Sequence, residues 1–235
     1  MIDVLAVGAH PDDVELRIGG TLAALRRLGH SFSILHLTQG ERATRGSVAH
    51  RKEEAARAAD ILGADQHQIL DLGDGRLEEN EVSRQAVIAV IRAQKPSLLL
   101  APFPEDEHPD HAAAGRIAHA AWYLAGIPRV PPESVPPHRP RALWFYPGHQ
   151  TPAASLVVEL AKEDLDRKFA AIRCYSSQFH DPDSTEPETR ISHPSFLDGC
   201  LGRLRFFGSQ IGTAFGEPFI TPTPPRIQDP MVLFS

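Results

Sequence analysis

The amino-acid sequence predicts an α/β fold, with a mostly parallel sheet and helices on both faces. Two observations predict it. Short apolar runs of strand length alternate with longer stretches whose apolar residues recur at helical spacing, giving β-α-β-α-β-α-β through Ala101. The polar, chemistry-bearing residues gather in the loops that leave these strands, and open α/β sheets bind ligands at the carboxyl ends of their strands.

Residues 2–7 (Ile-Asp-Val-Leu-Ala-Val) read as a buried strand. It runs into Gly8-Ala9-His10-Pro11-Asp12-Asp13-Val14-Glu15-Leu16, a loop stiffened by Pro11, and Gly19-Gly20-Thr21 then opens a helix with Leu22, Leu25 and Leu28 on one face. Residues 31–38 form the second strand and end in a loop, 39–47, that holds Glu41, Arg42, Arg45 and Gly46. Gly63 is placed to stop the helix over 48–62. Residues 68–70 give a short third strand entering the turn Asp71-Leu72-Gly73-Asp74-Gly75. A helix over 81–94, with Val87, Ile88 and Ile91 apolar, is separated by Pro96 from a fourth buried strand at 97–101. The following loop carries Pro104-Glu105-Asp106-Glu107-His108-Pro109-Asp110-His111 and leads into a helix over 112–125.

The second half is less regular. Residues 127–140 contain six prolines and read as a long extended loop, open either to closing over a ligand or to packing on a neighbouring subunit. Strand candidates at 141–146 and 156–160 and helices over 162–175 and 194–211 follow, and 218–235, with five prolines, reads as an extended surface tail. The length fits one domain over 1–235, with 1–126 as the sheet core and 127–235 as the Pro-rich loop, added strands and helices, and the tail.

Composition excludes several classes. At 42% hydrophobic and 23% charged the chain is globular, and no apolar run is long enough to span a bilayer. No secretion signal is read, and Cys174 and Cys200 make neither a disulfide framework nor a metal-site spacing, so a cytoplasmic protein is expected. A net charge of -6 without any Lys/Arg run argues against nucleic acid as a partner.

Two of the strand-end loops carry metal-compatible chemistry. Each contains a His-Pro-Asp unit, at His10-Pro11-Asp12-Asp13 and at His108-Pro109-Asp110-His111. Imidazole and carboxylate are ordinary Zn2+ ligands, and a spare carboxylate beside a metal can act as a base toward water. Either loop alone reads equally well as a polar turn or helix cap. The repetition, each time between a buried strand and a helix, favours a shared metal site, with His108 and His111 divided between ligand and outer acid. Most of the other nine of the 12 histidines, among them His30, His67 and His149, carry no such signal.

The paired motifs, Ala9-His10-Pro11-Asp12-Asp13-Val14-Glu15 and His108-Pro109-Asp110-His111, resemble those of the LmbE/PIG-L-type zinc N-deacetylases. Further segments are similar to the branch that deacetylates N-acetylglucosaminyl-malate in bacillithiol biosynthesis: Gly40-Glu41, Thr44-Arg45-Gly46-Ser47, Arg51-Lys52-Glu53-Glu54-Ala55, Asp74-Gly75, Ser177-Gln178-Phe179 and Glu186-Pro187-Glu188-Thr189. The resemblance implies a Rossmann-like fold with a single Zn2+ per chain, for which Fe2+ or Co2+ could substitute. By motif position it implies His10, Asp13 and His111 as metal ligands and Asp12 as general base. It implies that a protonated His108 stabilises the oxyanion or protonates the leaving amine, and that Asp110 orients a neighbouring histidine. Arg51 and Asp74 would contact the substrate, and Arg45 with Arg51 and Arg139 would suit an anionic aglycone; Gln178 is a further pocket candidate. The implied partners are a small-molecule N-acetylglucosamine glycoside and further copies of the chain, as hexamers are frequent in the family.

The chain departs from the family pattern at Arg17-Ile18, where relatives usually have Gly-Cys, and at Glu107, where the bacillithiol branch often has Arg. Alternative readings are a deacetylase or amidase for another conjugate (inositol, chito-oligosaccharide or thiol), and a non-catalytic metal- or sugar-binding relative. Retention of both Asp12 and His108 argues against the last. A nucleotide-binding protein is disfavoured because the first loop lacks Gly-x-Gly-x-x-Gly and carries two carboxylates.

Overall fold

A computed structural model describes residues 1–150, 152–224, 227–229 and 231. Five parallel strands, β1 (Val4–Gly8), β2 (Phe32–His36), β3 (Gln66–Ile69), β4 (Leu98–Pro102) and β5 (Ala142–Tyr146), lie in the order β3-β2-β1-β4-β5. β1 pairs with β2 from Val4↔Phe32 to Gly8↔His36, and with β4 from Val4↔Leu98 to Ala6↔Leu100. All five residues of β1 and of β2 are buried, as expected of strands covered on both faces. The direction of strand addition reverses between β1 and β4, so the loops leaving these two strands diverge and open a crevice at the carboxyl edge.

Helices cover both faces, as the sequence predicts. On one side α1 (Asp13–Arg27), α2 (Val48–Leu62) and α5 (Lys162–Ile172) bury Val14, Ile18, Leu22, Ala55, Ala58 and Ile172 against Ala6 and Ile34. On the other, α3 (Glu81–Gln94) and α4 (Pro109–Leu124) bury Val87, Ile88, Ile91, Ala114 and Ile117 against Leu5, Val7 and Leu99. β6 (Leu156–Glu159) pairs antiparallel with β7 (Gly216–Phe219), and α6 (Phe196–Gln210) precedes β7.

Two expectations need correction. First, α1 begins at Asp13 rather than Gly19, and Leu28 is its exposed C-cap. The two glycines lie inside the helix for packing: a Cβ on Gly20 would sit 2.5 Å from Leu160 Cδ1 and 3.0 Å from Glu217 Oε1. α4 likewise begins early, at Pro109, with His108 as N-cap. Second, the expected tail starts as strand, since Pro218 and Phe219 belong to β7; Pro225, Arg226, Pro230 and residues 232–235 lie outside the described residues.

The Pro-rich loop at 127–140, whose role the sequence leaves open, lies away from the crevice. Arg92, in the last turn of α3, donates to the carbonyls of Ala125 (3.0 Å), Ile127, Val130 and Pro132 (each 2.8 Å). α3 ends just before β4 begins, so these bonds tie the loop to the amino edge of the sheet, opposite the crevice.

A buried charge network fixes α1 to the second half of the chain. Lys168 Nζ donates to Glu217 Oε1 (2.7 Å) and to the Leu16 carbonyl (2.8 Å). Glu217 also accepts from the Gly20 N–H (3.1 Å) and from both the N–H and the hydroxyl of Thr21 (2.6 Å each).

Candidate active site

The two His-Pro-Asp units are built into helix starts. The Asp13 carboxylate, in the first turn of α1, accepts the backbone N–H of His10 at 2.8 Å. Asp12 sits just before the helix at φ 111°, a left-handed conformation that costs a non-glycine residue about 1–3 kcal/mol. Arg51, from α2, compensates by donating to the Pro11 carbonyl and lying 3.3 Å from Asp12 Oδ2. In the second unit Pro109 takes the first helical position, where its missing N–H costs nothing, and His108 Nδ1 accepts the Asp110 N–H at 3.2 Å. That bond leaves the ring proton of His108 on Nε2.

The crevice brings the two units together. His10, Asp13 and His111 each offer one ligand atom, all within 4.8 Å of one another. His111 Nε2 lies 3.0 Å from Asp13 Oδ1, and His10 Nδ1 lies 3.3 Å from Asp13 Oδ2. Each ring turns its other nitrogen onto a carboxylate. His10 Nε2 meets Asp110 Oδ2 at 3.0 Å and Asp74 Oδ1 at 3.2 Å, and His111 Nδ1 meets Asp106 Oδ1 at 3.3 Å. Asp110 is itself positioned by the N–H groups of Gly75 (2.6 Å) and Leu77 (3.2 Å). One nitrogen inward and the other on a carboxylate is the arrangement of metal-ligating histidines. The donor set fits a divalent transition metal.

Burial and close charges shift the proton affinities of these groups. Burial, reinforced by the neighbouring Asp13, lifts the Asp12 carboxyl to about 6 despite Arg51. Burial opposes ionisation of Asp13, but His111 and His10 outweigh it and hold Asp13 well below the usual carboxylate range. Burial would also depress His111, yet Asp13 and Asp106 raise it to about 9. His108 is lowered by burial and by repulsion from His111 and His10.

The cavity has a volume of about 290 Å3. His10, Asp12, Asp13, His108 and His111 line it, and so do the expected substrate residues Arg51 and Asp74, together with Gln178. Asp110 stands behind His10. Arg45 is corrected: it does not line the cavity, and its guanidinium is spent on the Phe179 carbonyl (3.2 Å), Ser184 Oγ (2.5 Å) and Glu186 (3.5 Å). Arg139 is corrected as well, because it donates to the Tyr123 carbonyl and stacks 4.1 Å over the Tyr123 ring at the far end of α4.

His149 reverses the expectation that it carries no role. Its ring stacks on His111 (centroids 5.3 Å apart), and its Nδ1 lies 3.1 Å from Asp106 Oδ1, so Asp106 bridges both histidines. Gly148 permits this, since a Cβ there would overlap the Asp106 carboxylate and come 3.2 Å from His111 Nδ1. The available signal was position: His149 follows the carboxyl end of β5. Arg17, Arg42 and Arg190 also line the cavity and were not expected there. Replacing Asp106 with alanine should lower metal affinity about 10- to 100-fold, because His111 loses the partner that orients it. Competition with a chelator measures this; unchanged affinity would remove Asp106 from the site's support.

Fold and site together define an α/β enzyme whose switch-point crevice carries a His/Asp cluster able to hold a metal. Residues 5–122 match the PIG-L family, described as GlcNAc-PI de-N-acetylase. The diacetylchitobiose deacetylase of Thermococcus kodakarensis is 33% identical over 190 residues, 75% of this chain and 70% of the relative. The 4-oxalmesaconate hydratase of Pseudomonas putida is 30% identical over 199 residues, 75% of this chain and 74% of the relative. A conserved protein from Thermus thermophilus superposes with a TM-score of 0.88 at 36% identity, covering 98% of each chain. The chain belongs to the PIG-L family and is an amide-hydrolysing enzyme of that family. No helix among the described residues is long and apolar enough to cross a membrane.

Proposed function

We propose that the protein is a zinc-dependent deacetylase that hydrolyses the N-acetyl group of an N-acetylglucosamine glycoside to acetate and a free amine. The observation that carries this is the opposed use of ring nitrogens in His10 and His111, each with one nitrogen toward Asp13 and the other on a carboxylate. His10, Asp13 and His111 would hold the ion. Bound there, zinc supplies a Lewis acid for the acetamide carbonyl and makes water more acidic.

The remaining groups divide the proton work. Asp12 adjoins Asp13 in the chain but pairs with Arg51, so it is free to accept a proton from the attacking water. The new bond is water oxygen to carbonyl carbon; the bond that breaks is carbon to nitrogen, and the Asp12 proton passes to the departing amine. His108 donates its Nε2–H to the carbonyl oxygen as negative charge develops there. Asp110 fixes the His10 ring, and Asp74 and Arg51 present a carboxylate and a guanidinium to the sugar. N-acetylglucosaminyl-malate of bacillithiol biosynthesis is the specific substrate proposed, on the segments around Arg51, Asp74 and Gln178. On the same reading the chain acts as one catalytic unit over 1–235, in the cytoplasm, as a homo-oligomer.

Acetate release by the zinc-loaded protein tests this, with N-acetylglucosaminyl-malate beside diacetylchitobiose. Release from the malate conjugate supports the specific substrate, and release from diacetylchitobiose alone moves the assignment to another conjugate. No acetate from either, with hydration of an unsaturated dicarboxylate instead, would place the protein with its hydratase relative and sink the deacetylase. The His108→Ala variant should lower kcat about 10²- to 10³-fold and retain its zinc. Loss of zinc would make His108 a ligand.

A further inference from the structure

We propose that Arg17 binds an anionic group on the substrate's aglycone, a carboxylate or a phosphate, and thereby selects charged over neutral glycosides. This rests on the deacetylase reading for the identity of the sugar, but the subsite itself stands on the geometry of the cavity.

Asp13, Leu16 and Arg17 are at positions i, i+3 and i+4 of α1, so they share one face of the helix, and all three line the cavity. The face that presents a candidate metal ligand therefore presents a guanidinium one turn further on. Arg17 has no acid to pair with there. Asp13 is taken by His10 and His111, Asp12 by Arg51, and Asp74 by His10 and the Arg42 N–H. Among the described residues Arg17 forms no ion pair, and its Nε is buried without an acceptor. A solvent-shielded donor on a charged group is costly to leave unpaired, which sets Arg17 apart from a surface arginine.

The surroundings add positive charge rather than remove it. Arg203 donates to the carbonyls of Pro147 (3.3 Å) and Gly148 (3.4 Å), and its proton affinity is lowered to about 10 by burial and then by repulsion from Arg17. Arg42 and Arg190, both exposed, line the same cavity and form no side-chain ion pair among the described residues. The chain as a whole carries a net charge of -6, so this concentration does not follow from a shortage of acids. A guanidinium fork matches carboxylate and phosphate oxygens two at a time, which is the chemistry that would satisfy Arg17.

Calorimetric binding of amine products to the zinc-loaded protein tests the proposal without relying on turnover. The probes are glucosaminyl-malate, glucosaminyl-inositol phosphate and neutral methyl glucosaminide. The wild type should bind one anionic probe about 10- to 100-fold more tightly than the neutral one; the probe it prefers distinguishes carboxylate from phosphate. In Arg17→Met that ratio should fall to about twofold or less, and in Arg17→Glu it should invert, with melting temperatures confirming that both variants fold. Equal binding of charged and neutral probes by the wild type, or an unchanged ratio in both variants, overturns the subsite. The expected loss of the ratio in the variants, with no acetate released by the wild type from any acetylated glycoside, instead defeats the deacetylase reading and leaves the anion subsite standing.

Discussion

Replacing Asp12 with asparagine should lower kcat about 10²- to 10⁴-fold while leaving fold and metal content intact. Asparagine has nearly the same shape and can still accept a hydrogen bond from Arg51, which lies 3.3 Å from Asp12 Oδ2. It also tolerates the left-handed backbone at φ 111° better than most side chains, so the loop should keep its course. The variant loses only the ability to take a proton from water and hand it on. Alanine would confuse the result by adding backbone strain and releasing Arg51. Acetate release and zinc content, measured on the same preparation, decide the matter. A variant with full zinc and a rate within tenfold of wild type would remove Asp12 as the base and direct attention to Asp74, an acid on the cavity wall outside the proposed ligand set.

The largest effect on stability is expected at the Lys168–Glu217 pair, whose side chains are 1% and 0% exposed. Lys168→Met should cost about 3–5 kcal/mol, because it leaves a buried carboxylate without its counter-charge. For a chain of this size that lowers Tm by about 10 °C. Glu217→Gln should cost a similar amount, because it removes the counter-charge of the buried ammonium and turns an amide NH2 toward the donors of Gly20 or Thr21. The double variant should lose less than the sum of the two, since each single change bears the cost of an unpaired charge that the other removes. Strict additivity in thermal or denaturant unfolding would show that the pair is not coupled. The network matters for function because it clamps α1 through Leu16, Gly20 and Thr21, and α1 carries Asp13 and Arg17 into the cavity.

Local pattern made the fold readable. β1 and β4 are continuous apolar runs, the helices alternate with the strands, and Gly63 ends α2 in the left-handed conformation expected of a helix stop. The helix starts at Asp13 and Pro109 were read late because the polar residues of both units resemble loop, yet those residues are caps and first-turn side chains. β7 reads as tail from the sequence because Pro218 and the prolines that follow the strand suggest one, while Glu217 inside it is fully buried and paired with a lysine 49 positions earlier in the chain.

The sequence by itself determined the chemistry available at the site. His10, Asp12, Asp13, His108, Asp110 and His111 stand at strand ends that a parallel sheet must bring to one edge. Only the tertiary structure decided which of the remaining polar residues reach that edge. Arg45 and Arg139 are arginines of the right type whose guanidinium groups are consumed elsewhere, whereas Arg17 and His149 face the cavity. The physical reason is that a side chain's partners are set by long-range packing. Asp106 can bridge His111 and His149, and Arg17 can be left without an acid, only because helices and loops far apart in the chain converge on the β1/β4 crevice.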